Sequence, residues 1–92
     1  MSVSSARYKL LIIELRRILR EMESTVKNGT ATYEQLCQSR DIMKEKHEYA
    51  KRMKSFFYFS YFMDKKVEAI VKKADKLIEE FASTHLATNR RR

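Results

Sequence analysis

Ninety-two residues with no proline, one glycine and one cysteine describe a single thin-cored domain built from helix-favouring residues, and they exclude a disulfide-stapled fold and a glycine-rich phosphate loop. Twenty Lys and Arg against twelve Asp and Glu leave a net charge of +8, which implies an acidic partner: protein, nucleic acid or anionic lipid. No run approaches the roughly 18 uncharged apolar residues of a membrane span, so a transmembrane reading fails.

Ser4 or Ser5 caps a first helix predicted over residues 5–27. Its apolar positions are Tyr8, Leu11, Leu15, Ile18, Met22 and Val26, and Leu10, Ile12, Ile13 and Leu19 widen the stripe. Met1 to Ile13 holds three serines, Arg7 and Lys9 and no acid, which are the features of a mitochondrial import signal. A serine-capped first helix shares them. Glu23 and Lys27 stand four apart, a favourable helical pair.

Asn28-Gly29 stops this helix, because glycine takes the left-handed closing conformation without steric cost. The turn is predicted over residues 28–32. Thr32, with Gln35 three residues on, opens a second helix at residue 33. That helix carries Tyr33, Leu36, Cys37, Met43, Ala50, Met53 and Phe57 on a sloping stripe, which Arg40 and His47 interrupt. A histidine in such a place is an ordinary packed side chain unless other ligands converge on it.

Phe56, Phe57, Tyr58, Phe59, Tyr61 and Phe62 place six of the ten aromatics within seven positions. At 100° per residue these rings point all round a helix, so one neighbouring helix cannot cover them. Residues 6–27 and 33–54 have equal length, about 33 Å each, so the first helix ends where the aromatics begin. Beyond them Met63, Val67, Ile70, Ala74, Leu77, Ile78 and Phe81 repeat at helical spacing to about Thr84, and residues 85–92 form a basic tail. The fold class is all-α. An antiparallel hairpin with a long second helix, from residue 33 to about 84 and kinked if broken at 60–64, competes with a three-helix bundle.

The inventory for catalysis is poor. His47, His85 and Cys37 are the only His and Cys side chains, and their spacing matches no zinc site. Glu45-Lys46-His47-Glu48 lacks the second histidine of a metal motif. The expectation is a protein that is not an enzyme and holds no cofactor or metal.

Tyr8-Lys9-Leu10-Leu11-Ile12-Ile13-Glu14-Leu15-Arg16-Arg17 resembles the opening helix of the mitochondrial LYR (Leu-Tyr-Arg) proteins, and within that family it is most similar to the complex V assembly-factor branch. Glu34-Gln35-Leu36-Cys37 resembles a short stretch at the start of that branch's last long helix. Together these cover about fifteen residues of the chain. Arg7 stands where the family has its leading Leu, Lys9 replaces the Arg, and the spacer between the two segments is shorter. The resemblance implies a matrix protein that binds other proteins, as an assembly factor or accessory subunit of a respiratory complex or of ATP synthase. It also implies an acidic acyl carrier protein as a partner, and it marks Tyr8, Lys9, Arg16 and Arg17 as partner-binding.

The residues themselves support an interaction protein that docks through Phe56 to Phe62 with basic rims, since aromatic anchors edged by arginine are what interfaces favour. The rival is a nucleic-acid- or ribosome-associated protein, using Lys44, Lys46, Lys51, Arg52, Lys54 and the terminal Arg90, Arg91 and Arg92 on phosphates. A membrane-surface helix is a third reading, which aromatics on all sides fit poorly.

Overall fold

The computed structural model describes the backbone of residues 3–52 and 61–90 and the side chains of residues 8–52 and 64–85. Among the described residues the chain is all-helical, with α1 over Val3–Asn28, α2 over Tyr33–Arg52 and α3 over Tyr61–Arg90. None of these helices is long and apolar enough to cross a membrane.

The α1–α2 turn follows from its residues. Gly29 adopts φ +79°. Its N–H donates to the Val26 carbonyl at 3.2 Å and the Thr30 N–H donates to the Thr25 carbonyl at 2.9 Å, the paired bonds of a Schellman closure. Thr32 Oγ1 then accepts from the Gln35 N–H at 3.1 Å, satisfying one of the open donors at the start of α2.

Each helix packs against the other two. His47 meets Asp64 and Arg40 meets Asp75, so residue number falls along α2 as it rises along α3. Lys46 reaches Glu14 across the α1–α2 seam. The helices therefore run up, down and up, with α1 and α3 parallel. A straight uninterrupted helix would hold residues 47 and 64 about 25 Å apart. Their side chains lie 2.8 Å apart, and such contacts favour the three-helix arrangement over a hairpin with one long second helix.

The core is formed by Leu11, Ile12, Leu15, Leu19 and Met22 of α1, Leu36 and Met43 of α2, and Val67, Ile70, Val71, Ala74 and Ile78 of α3, with Tyr8 at one end. The broad α1 stripe is narrower than the sequence suggested. Ile12 and Leu19 are inside, whereas Leu10 and Ile13 face solvent. The reason is geometric: Leu10 and Ile13 stand at 140–200° from Tyr8 on the helical wheel, opposite the line through Tyr8, Leu15 and Met22. Arg40 and His47 do not weaken the α2 stripe, because each finds a carboxylate on α3.

The expected Glu23–Lys27 pair is not formed, while Arg17 bridges to Glu21 at 3.0 Å and Glu14 at 4.0 Å. At the far end α3 continues past Thr84 to Arg90. There the His85 ring stacks on Phe81 at 4.1 Å and its Nδ1 donates to the Phe81 carbonyl.

Candidate docking surface

Two features lie near one end of the bundle, where α1 and α3 begin and α2 ends. The first is a buried polar node. Asp64 Oδ1 accepts from the Tyr8 hydroxyl at 3.2 Å and pairs with His47 Nε2 at 2.8 Å, tying all three helices through one oxygen. Tyr8, His47 and Asp64 are 2, 9 and 8 % exposed. Asp64 lies in the first turn of α3, where the open N–H groups of the helix favour a negative charge. Burial above all, and then the charge and hydrogen bond of Asp64, push the Tyr8 hydroxyl up to about 12. No buried side-chain polar atom among the described residues lacks a partner. A satisfied node of this kind fixes how the helices meet.

The second feature is on the surface. A groove of about 620 Å³ runs along the α1–α2 seam, walled by Leu10 and Glu14 of α1 and by Glu45, Lys46, Tyr49 and Arg52 of α2. Leu10 is 68 % exposed and Tyr49 59 %, and Ile42, two turns back along α2, also faces out. A smaller depression beside Ile42 continues the same seam past Glu21 and Gln38. The other described large exposed hydrophobics are Ile13, on the outer ridge of α1, and Tyr33, at the start of α2; α3 contributes none. Three of the five thus flank one seam, and apolar exposure gathered on one face marks an interaction surface.

The residues singled out in the sequence fall in different places. Tyr8, expected to face a partner, is inside the bundle on Asp64. The correction has a simple cause, since Tyr8 shares its face with Leu11, Leu15 and Met22. Lys9 and Arg16 are exposed and make no ion pair among the described residues, whereas Arg17 is held between Glu14 and Glu21. In the expected basic patch, Lys51 pairs with Glu48 at 3.7 Å and Arg52 lines the groove. Lys44 and Lys46 are likewise paired, with Asp75 and Glu14. Phe56, Phe57, Tyr58 and Phe59 lie outside the described residues, as do Lys54, Arg91, Arg92 and the side chains of Tyr61, Phe62 and Arg90.

Sequence reasoning missed Tyr49 and Asp64. Tyr49 could have been found as a large ring set off the apolar stripe of an otherwise charged helix. Nothing local to Asp64 signals its role, because its partners are 17 and 56 residues away. No cluster of three or more His, Cys, Asp or Glu able to hold a metal ion occurs among the described residues. Comparison with protein-family models, with curated proteins and with solved structures gives no match.

Proposed function

We propose that this chain is a non-enzymatic three-helix bundle that joins a larger assembly by receiving an amphipathic helix of another subunit in the α1–α2 groove. The observation that carries the reading is the outward placement of Leu10 and Tyr49 on either side of that groove. Large side chains that none of the described residues covers are suited to anchoring a partner, and desolvated anchors carry most of the energy of such contacts. The rim holds both signs of charge, Glu14 and Glu45 with Lys46 and Arg52, which sets the register of an incoming helix. In sequence, the aromatic run begins four residues beyond Arg52, and it serves in this reading as an extension of the docking surface.

The resemblance of Tyr8 to Arg17 to the LYR proteins supplies the setting: an accessory subunit or assembly factor of a mitochondrial respiratory complex or ATP synthase, on the matrix side. A photo-crosslinking residue at position 49 tests the docking, with position 76 on the exposed face of α3 as control. The expected result is one identified subunit, captured through a helical segment from position 49 but not from 76, and lost in a Leu10→Ser variant. Equal capture from both positions, or capture indifferent to Leu10→Ser, refutes the reading.

A further inference from the structure

We propose that the face formed by the parallel helices α1 and α3 binds the phosphate backbone of a nucleic acid, reading charge and not sequence. This goes beyond the docking groove and uses a different surface.

The two flanks of each helix can be told apart by their contacts. On α1, Glu14 reaches Lys46 of α2, so the α2 side is the Glu14 side. At 100° per residue, Lys9, Arg16 and Arg20 stand on the opposite flank, beside α3. On α3, Asp75 meets Arg40 and Lys44 of α2, so Lys66 and Lys73 stand on the flank beside α1. The meeting of Tyr8 with Asp64 sets the register of this parallel pair, bringing Lys66 level with Lys9 and Lys73 level with Arg16 and Arg20.

All five cations are exposed, and none makes an ion pair among the described residues. The acids on these flanks, Glu23 and Glu80, lie further along both helices, past the cations. Lys9 to Arg16 and Lys66 to Lys73 each span about 10 Å, and packed helix axes are about 8–10 Å apart. That spacing is close to the screening length at physiological salt, so the five potentials overlap into one positive field.

The chemistry separates this face from the groove. A protein partner needs several apolar anchors; the described part of α3 exposes no large hydrophobic side chain, and on the α1 flank Ile13 alone is exposed beside the three cations. Five cations around a single apolar side chain suit phosphate contacts better. The lysines that cluster in the sequence, Lys44, Lys46 and Lys51, are neutralised within the fold. On the other side gather five cations unpaired among the described residues, assembled from two helices distant in sequence.

The test is the salt dependence of binding of the full chain to a labelled duplex and a labelled single strand, read by fluorescence anisotropy. Five phosphate contacts give a slope of log K against log salt of about −4.5 on duplex DNA, or roughly a 500-fold loss between 50 and 200 mM. The Arg16→Gln, Lys73→Gln double variant should make that slope shallower by nearly two, since each cation contributes about 0.9. Lys44→Gln, Lys46→Gln, which removes paired lysines, should leave it unchanged. Comparing variants isolates this face from the C-terminal arginines common to all of them. No binding at 50 mM salt, a slope indifferent to Arg16 and Lys73, or equal affinity for polyglutamate of matching length would overturn the proposal, the last assigning the face to an acidic protein. Arg16 and Lys73 are exposed and unpaired among the described residues, and Lys44 and Lys46 stand in solvent-accessible surface pairs, so both variants should fold, and matching far-UV spectra and urea midpoints would confirm it.

Discussion

Replacing Asp64 by alanine should do more damage than removing any exposed carboxylate, and the structure sets the size of the effect. Asp64 Oδ1 serves the Tyr8 hydroxyl and the His47 ring nitrogen at once. Without it two buried donors lose their acceptor, and each buried group left unpaired costs about 1–3 kcal/mol. Removing a charge from a buried site returns part of that, because the carboxylate itself was costly to bury. The net expectation is a loss of about 2–4 kcal/mol, against roughly 5–14 kcal/mol for the whole stability of a ninety-two-residue chain. Urea unfolding followed by helical circular dichroism measures it, with Glu79→Ala on exposed α3 surface as the reference. The Tyr8→Phe, Asp64→Ala double variant should lose less than the sum of the two single changes, because the hydroxyl that Asp64 satisfies is then absent. If Asp64→Ala matches Glu79→Ala within about 0.5 kcal/mol, the node does not tie the helices together.

Tyr8 gives a second handle, since its folded value of about 12 lies above the ordinary 10.0. A raised folded value means that the stabilisation is fully present below about pH 10 and is lost as pH rises through about 12, where the unfolded chain has already released the proton. Absorbance at 295 nm should show a late tyrosine ionisation, and Tyr8→Phe should abolish that late step. Gly29→Ala should cost about 1 kcal/mol through backbone conformation alone, because a Cβ there meets nothing within 4 Å while φ is +79°. Gly29→Asn, which tolerates that conformation better, should cost less in the same urea assay. Thr32→Ala should cost about 1 kcal/mol by leaving the Gln35 N–H without its cap, and Thr32→Ser should restore most of it.

What local chemistry decides was legible in the sequence. The Asn28-Gly29 stop, the Thr32 cap and the core line through Leu11, Leu15 and Met22 all follow from near neighbours. What depends on a distant partner was not. Arg40 and His47 read as interruptions because the carboxylates that seat them on α3, Asp75 and Asp64, lie 35 and 17 residues away. Leu10 and Ile13 read as part of the apolar stripe because they are apolar, whereas the direction in which the other helices lie leaves them outside. Charge follows the same rule. Charges adjacent in sequence carry their counter-ions with them, as Lys51 does with Glu48, while the unpaired cations of α1 and α3 meet only when the helices pack.

Tyr8, Lys9 and Leu10 show how one short stretch divides its work. Successive residues of a helix point 100° apart, so three in a row address three directions. Tyr8 turns inward and ties α1 to Asp64, Lys9 turns toward α3 and its lysines, and Leu10 turns toward α2 and the groove. The division makes the three roles separable. Exchanging Lys9 for glutamine should act on salt-dependent binding alone, and Leu10→Ser on capture by position 49 alone. Tyr8→Phe should act on stability alone, by about 1 kcal/mol near neutral pH, where only the hydrogen bond is lost. A change at Tyr8 that altered partner capture while leaving the urea midpoint unmoved would mean that its ring faces the partner, and the inward assignment, with the register of α1 against α3 that depends on it, would be wrong.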